Sequence, residues 1–281
     1  MKLLVLLLVL ALRRLDIQWP AWLGDGHRVR RLMKPLVQRS ESGGLPEGLA
    51  WALAVLAPAL ALLVAFLLIQ SMLWGLLTLV AGALVLLWLL GPVSEFRMLD
   101  EILVQGRMND QQAFARQAQQ HFAVPGEPGD RGYFDLLIQT VLHREARYLF
   151  ATVFYLVTLG LPLALLYVLN RWLAQQQAAG SDLARTVDIA LFWLPARLLI
   201  LALALAGDFR RVMDAVGERL WRLDESDTVL GEALDGALDM PQEEPDDFQA
   251  GVDRVVAAQS LMQRALALWL IMAAIWVVLL G

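Results

Sequence analysis

The chain has 281 residues, of which 58% are hydrophobic and only 18% are charged. Ordinary soluble domains are nearer half apolar and a quarter charged, so this composition requires either one large core or membrane-spanning segments. The absence of cysteine excludes disulfides and thiolate chemistry, and the net charge of −5 does not by itself indicate a class of partner.

The N-terminal stretch MKLLVLLLVLALRRL (residues 1–15) has about ten apolar residues in a row. This length suits the core of a signal peptide, but two arginines follow the run and no cleavage site of small residues appears. We therefore predict a retained helix that enters the membrane.

Long apolar runs follow along the chain. Residues 49–91 contain no charged residue, and because a span needs about 20 apolar residues they predict two spans joined near Gln70 and Ser71. Further spans are predicted at 148–169, 189–207 and 265–281. The predicted fold class is all-α: a polytopic transmembrane helical bundle of about five to six membrane helices, with two helical hairpins (49–91 and 148–207) and cytoplasmic helical loops.

Lysines and arginines are unevenly distributed between the predicted loops. Residues 13–47 hold seven and residues 92–147 hold six, whereas residues 170–187 hold two. The positive-inside rule then places the first two of these segments in the cytoplasm and 170–187 outside. We predict a single membrane domain over residues 1–281, with a basic cytoplasmic segment at 13–47, a cytoplasmic helical loop at 92–147 and an acidic cytoplasmic loop at 208–264.

The predicted cytoplasmic segments contain local signals. NDQQAFARQAQQHF (109–122) predicts a helix opened by an Asn-Asp cap, and the glycines and prolines of 124–132 predict a loop. Residues 133–150 are predicted to run as one helix into the third span. The stretch 224–247 contains ten acidic residues and no basic one, but it lacks the glycine of a calcium loop and predicts a solvated loop.

Arg197 lies two residues after Pro195 in the apolar stretch LFWLPARLLILALALAGDF. A charged side chain at span depth costs about 2.5 kcal/mol or more, so such residues usually face the bundle interior and mark a site. The structural alternative is pairing with a buried carboxylate or with carbonyls freed by the proline. Within the same helix, Asp188 lies on the face opposite Arg197, and Asp208 lies about 16 Å from Arg197 along the axis. The partner of Arg197 is therefore expected to be a residue of another helix or an anionic ligand.

The predicted third span and the residues that flank it supply candidate neighbours of Arg197. Arg144 and Arg147 share a helix face at the mouth of the third span, where two arginines can hold a phosphate; the alternative is an ordinary positive flank that anchors the helix. The predicted ligand-binding residues are Arg197, Arg144, Arg147, Glu145, Tyr155, Tyr167, Asn170 and Pro195.

Several kinds of chemistry lack their sequence signature. The chain has no G-x-x-x-x-G-K-[ST] phosphate loop and no G-x-S-x-G nucleophile motif. Its three histidines, His27, His121 and His143, are not at metal-ligand spacing. We predict no metal site and no nucleic-acid partner.

The stretches FYLVTLGLPLALLY, LFWLPARLL and LAGDF, in this order, resemble the AmpE family over most of the chain. That family comprises bacterial inner-membrane proteins linked to β-lactamase regulation. The wider superfamily is the CobD/CbiB group, whose enzymes attach an aminopropanol-type group to a corrinoid carboxylate at the membrane. Their PARL motif resembles Pro195–Leu198, and their Gly-Ala-Leu resembles Gly236–Leu238. The resemblance implies a multi-pass protein of the bacterial inner membrane.

The chain departs from the cobalamin enzymes at positions that carry their chemistry. Where those enzymes have a Glu-Asn pair and then an Asp, this chain has His143, Arg144 and Arg147, and after Tyr167 their Arg is replaced by Val168. The AmpE family often has a basic residue where Arg147 stands. The departures favour a protein that is not an enzyme and has no cofactor; nucleotide and magnesium are implied only if ligase activity persists.

Three classes of function follow. The first is a regulatory or sensory protein of β-lactamase induction and cell-wall metabolism. It would bind an anion, which is a cell-wall metabolite, a nucleotide or a lipid phosphate, in a cytoplasm-facing cavity. Arg197 would form the floor of this cavity, and Arg144 and Arg147 would form its rim. Binding would change the contact with a cytoplasmic protein partner. The second is an ATP-dependent amide ligase like the adenosylcobinamide-phosphate synthases. The third, a transporter, is least favoured because no paired repeat of broken helices is present.

Overall fold

The structure, a computed structural model, describes residue 35 and residues 46–70, 75–90, 94–175, 182–222, 225–238 and 247–280. Within these ranges the chain is helical apart from short turns and loops, and it has no strand. The predicted all-α class is therefore confirmed. The predicted N-terminal helix and most of the basic segment 13–47 lie outside the described residues.

The helices form two compact units. Unit 1 takes its described residues from 1–92, 151–193 and 276–281, and unit 2 from 93–150 and 194–275. In chain order the helices are α1 (Glu47–Trp51), a π-helical turn (Ala52–Leu56), α2 (Ala57–Gln70), α3 (Gly75–Leu90), α4 (Glu95–Arg107), α5 (Gln111–Phe122), α6 (Tyr133–Glu145), a second π-helical turn (Ala146–Phe150), α7 (Ala151–Leu159), α8 (Leu161–Ala174), α9 (Asp182–Ala206), α10 (Phe209–Val216), a 3-10 helix (Gly217–Trp221), α11 (Ser226–Ala237) and α12 (Phe248–Leu280).

Three described helical stretches are long and apolar enough to cross a membrane: Glu47–Ala65, α9 and Phe248–Ile275. A fourth crossing would require the 45° bend between Gly82–Leu90 and Glu95–Arg107 to lie within one span. The described part of the chain thus holds three or four candidate spans, where the sequence predicted five to six.

The segment predicted as the third span, residues 148–169, is not one helix. α7 and α8 are separated by Gly160, which has φ 91° and ψ −179°, a conformation that is essentially restricted to glycine. The ring centroids of Tyr155 and Tyr167 are 5.2 Å apart, whereas twelve residues of continuous helix would separate them by about 18 Å. The chain therefore doubles back at Gly160, and the prediction of a single span is wrong.

The acidic stretch 224–247, predicted as a solvated loop, contains α11. Four of its apolar side chains are completely buried and recur at i, i+1, i+4 and i+5, which places them on one helix face. α11 packs closely against α10, where a Cβ on Gly236 would lie 3.2 Å from the carbonyl oxygen of Arg211. Over residues 226–237 the prediction of a loop is wrong, because the apolar period sets the conformation despite the acidic residues. The buried residues are Val229, Leu230, Ala233 and Leu234.

Other local predictions in unit 2 are confirmed. α5 begins one residue after Asp110, whose side chain accepts a hydrogen bond from Ala113 N at 2.9 Å, as expected of an N-cap. Residues 133–150 are continuously helical. α12 packs on α6 at Gly251, where a Cβ would overlap the ring of Phe134.

We expect Gly160→Ala to destabilise the protein by about 1–3 kcal/mol, because an alanine at this φ and ψ would be strained. Thermal unfolding of the purified protein in detergent measures the effect. Gly129→Ala is the control, since a Cβ at Gly129 would meet nothing within 4 Å and its φ is not positive. Equal melting temperatures for the two variants would contradict the turn at Gly160.

Candidate functional site: arginines around one segment of the chain

The structure distributes the eight predicted site residues between the two units. Five lie in unit 2 and three in unit 1, and their meeting in one cavity stays a prediction. Those of unit 2 are Arg144, Glu145, Arg147, Pro195 and Arg197, and those of unit 1 are Tyr155, Tyr167 and Asn170.

Arg197 is buried on α9, with 6% of its surface exposed. The helix continues through Pro195. The Nε and Nη2 atoms of Arg197 donate hydrogen bonds to the backbone carbonyl oxygens of Leu220 and Arg222. These two acceptors are carbonyls of another segment; they are neither a carboxylate nor the carbonyls next to the proline.

The carbonyls that Arg197 binds belong to residues 217–222, which we call the strap. The strap consists of the 3-10 helix and Arg222, and none of the residues of that 3-10 helix is buried. Trp221 has 73% of its surface exposed. At the start of the strap Gly217 has φ 43°, a backbone conformation that favours glycine. The strap thus has little apolar contact of its own.

Arg147 binds the chain just beyond the strap. Its Nη2 donates to Oδ2 of Asp227, in the first turn of α11, at 2.7 Å. His143 Nε2 lies 2.9 Å from the backbone oxygen of Asp227, and because a carbonyl only accepts, Nε2 carries the proton. Arg197 and Arg147 therefore hold the same stretch of chain, one at its carbonyls and the other at a carboxylate.

Arg144 and Glu145 hold helix ends. Arg144 Nη1 donates to the backbone oxygen of His121, in the last turn of α5, at 2.7 Å and lies 3.7 Å from Oε2 of Glu95. Glu145, which is 2% exposed, accepts from Phe96 N at the start of α4 at 3.2 Å. A cation suits a helix C-terminus and a carboxylate a helix N-terminus, so both residues complement helix dipoles.

The predicted residues of unit 1 belong to a buried polar group. Tyr155 donates to the backbone oxygen of Leu191 at 2.7 Å and stacks on Tyr167. The guanidinium carbon of Arg171 lies 5.6 Å from the ring of Tyr167. Asn170 accepts from Trp51 Nε1 at 2.8 Å and donates to the backbone oxygen of Ala184 at 3.0 Å.

Sequence reasoning missed two charged members of this region. Arg171 is 1% exposed and Asp188 is 8% exposed, although Arg171 had been counted as a loop residue and Asp188 considered only as a partner of Arg197. The available signal was the apolar sequence before Arg171 and after Asp188, because an ionisable group at the end of an apolar run is seldom placed in lipid.

A further contact in unit 1 bears on the predicted topology. The backbone N of Leu183 donates to Oε1 of Glu47 at 2.7 Å. The starts of α1 and α9 therefore lie side by side. The distribution of basic residues predicted that residue 47 and residues 170–187 face opposite sides of the membrane, and this contact does not favour that arrangement.

The family model described as "Regulatory signalling modulator protein AmpE" matches residues 1–278. The chain belongs to the AmpE family. Neither the curated proteins nor the solved structures contain a match to it. The family gives no indication of a cofactor, and among the residues that the structure describes no group of three or more His, Cys, Asp or Glu residues could hold a metal.

Unit 2 of this AmpE-family chain also contains a cavity of about 210 Å³ beside residues 128–135. Its acidic side chains have partners within the protein. Asp247 Oδ1 accepts from Ala250 N at 2.7 Å, and Asp135 pairs with Arg254 at 3.0 Å. These carboxylates are therefore already engaged within the protein.

Asp235 of α11 lies near the Asp135–Arg254 pair. Its pKa is raised above the ordinary value, first because burial disfavours the charge and then because Asp135 repels it, although Arg254 opposes the shift. A carboxyl whose pKa is raised in the folded state contributes stability at low pH, and this contribution is lost as the pH rises through the folded pKa.

We therefore expect Asp235→Asn to raise the melting temperature at pH 7 and to have little effect at about pH 2.5, well below the ordinary pKa of aspartate, where the carboxyl is protonated in both states. Thermal unfolding at a series of pH values measures this difference. Asp253→Asn, which removes a charge from an exposed position on α12, is the control. A stabilisation by Asp235→Asn that did not depend on pH would contradict the raised pKa.

Proposed function

We propose that this AmpE-family protein is a multi-pass inner-membrane regulator of β-lactamase induction and cell-wall metabolism, and that it binds an anionic ligand at Arg197 and Arg147. Family membership supports the regulatory role at the inner membrane. The three candidate spans support a multi-pass protein. The proposal of a ligand rests on the arrangement of the two arginines.

One observation carries the ligand proposal. Arg197 and Arg147, on α9 and in the second π-helical turn, both direct guanidinium groups at oxygen atoms of the stretch from Leu220 to Asp227. The planar guanidinium fork that binds carbonyl and carboxylate oxygens also fits a phosphate or a carboxylate. An anion that replaces the protein's own acceptors would satisfy both arginines.

The chemistry of the ligand is a phosphate or carboxylate group. Its source is a soluble cell-wall metabolite, a nucleotide or the headgroup of a lipid. Arg144 would lie at the rim of the site, where its present acceptor is the carbonyl of His121. Binding would alter the packing of unit 2 and its contact with a protein partner. We place residues 92–147 and 208–264 in the cytoplasm, because their arginines favour that side.

We expect Arg197→Ala to weaken the binding of inorganic pyrophosphate at least about tenfold, since a lost charge-assisted pair is worth about 1.5–3 kcal/mol. Isothermal titration of the purified protein in detergent measures the affinity. Arg185→Ala is matched to it, because Arg185 is also an arginine of α9 but is exposed and lies 3.5 Å from Asp182. Equal affinities for these two variants would refute the site.

Two further measurements make this test independent of folding. Arg197→Lys keeps the charge and loses the fork, so it should bind pyrophosphate more weakly than the wild type at a temperature at which both proteins remain folded. Native mass spectrometry of the wild type beside Arg197→Ala would identify a co-purified anion by its mass, and a lipid would be distinguished from a soluble metabolite in this way.

The regulatory role has its own test. In a bacterium with inducible β-lactamase that lacks its own AmpE-family protein, expression of this chain should change β-lactamase activity after exposure to a β-lactam. Arg197→Ala should remove that change while Arg185→Ala retains it. An identical response with and without the chain would contradict the regulatory role.

A further inference from the structure

We propose that the strap, residues 217–222, is an autoinhibitory segment that occupies Arg197 until an anion displaces it. This inference rests on the anion site proposed above and adds its regulation.

The strap is poorly anchored by apolar packing. No residue of its 3-10 helix is buried, in contrast to α10 before it, which buries Val212 and Val216, and to α11 after it. Segments with few buried apolar contacts open at the lowest free energy in a folded protein. Gly217, with φ 43°, is a natural hinge at the end of α10. The strap can therefore move while both helices stay in place.

Polar contacts hold the strap in place. Arg197 donates to two of its carbonyl oxygens, and Arg219 forms an ion pair with Glu232 of α11. The hydrogen bond that Arg219 donates to Glu232 raises the pKa of Arg219 above its ordinary value. Arg222 reaches Glu225 at 2.8 Å. These contacts are exchangeable for water or ions, unlike a packed core.

An anion and the strap compete for the same donors. The backbone carbonyls carry only partial charge, whereas phosphate and carboxylate groups carry a full charge, and hydrogen bonds between two charged groups are the stronger ones. The Nε and Nη2 atoms of Arg197 cannot serve both acceptors at once. The measured affinity is then the intrinsic affinity reduced by the fraction of molecules with an open strap.

The contacts beyond the strap limit the movement. His143 holds the backbone oxygen of Asp227 at the start of α11, so α11 remains attached when an anion replaces the strap at Arg197 and the Asp227 carboxylate at Arg147. The opening then changes the position of Trp221, whose indole is already exposed. An exposed tryptophan is a frequent anchor of protein contacts, so a shift of Trp221 offers a direct signal to a partner.

The experiment compares Arg219→Gln with Arg210→Gln. Both substitutions remove one positive charge, but only Arg219 holds the strap, through Glu232; Arg210 is exposed on α10, 3.9 Å from Asp214. Because a partly exposed ion pair contributes little, we expect Arg219→Gln to bind inorganic pyrophosphate about two- to fivefold more tightly than Arg210→Gln. Titration of the full-length protein in detergent measures both affinities.

Hydrogen exchange provides the second readout. Saturating pyrophosphate should accelerate exchange at residues 217–222 of the wild type and leave α5 unchanged. The same measurement in nanodiscs of phosphatidylglycerol, beside nanodiscs of phosphatidylcholine, distinguishes the source of the anion. Faster strap exchange in the anionic nanodiscs without pyrophosphate identifies a lipid headgroup, and faster exchange only with pyrophosphate identifies a soluble phosphate.

The outcomes separate the two proposals. If pyrophosphate binds through Arg197 but the affinities of Arg219→Gln and Arg210→Gln are equal and strap exchange is unchanged, the autoinhibitory strap is refuted and the anion site stands. If neither pyrophosphate nor anionic lipid binds to the wild type or to Arg219→Gln, the proposed anion site fails, and the strap proposal fails with it.

Discussion

The fork of hydrogen bonds from Arg197 to the carbonyl oxygens of Leu220 and Arg222 joins a buried charge of α9 to an exposed segment of unit 2. A buried guanidinium requires acceptors, because a charge without them is expensive to remove from water. The strap requires Arg197 in turn, since the 3-10 helix that forms most of it buries no residue. Arg197 and the strap therefore stabilise each other. A ligand that accepts the hydrogen bonds of Arg197 also removes the contacts that Arg197 makes with the strap.

The sequence identified Arg197 but could not identify its partner. An arginine within an apolar helix is apparent in the sequence, and its need for an acceptor follows from electrostatics. Every residue has a backbone carbonyl, so the sequence does not show which carbonyl binds a given side chain. Which carbonyls reach Arg197 depends on the path of the chain after α9. Arg144 and Arg147 illustrate the same point: they share a helix face, yet one binds the end of α5 and the other binds Asp227.

Helical periodicity was more informative than composition. The cap at Asp110 and the helix over residues 133–150 were predicted correctly from local signals. α11 was not predicted because a high content of acidic residues is typical of a solvated loop, whereas the four apolar residues at helical spacing determine the conformation. The turn at Gly160 was missed because hydropathy averages over a window, whereas the turn depends on the φ of one glycine within an apolar run.

The turn at Gly160 has a consequence for how the protein enters the membrane. α7 continues the helix of residues 133–150, but the apolar part of that helix, residues 148–159, is shorter than the about 20 apolar residues that a span needs. α8, with 14 residues, is also shorter than a span. Asn170 of α8 is hydrogen-bonded both to Trp51 of α1 and to Ala184 of α9, so the polar contacts of this hairpin are complete only once the ribosome has synthesised α9. They join residues that lie more than 130 positions apart in the chain.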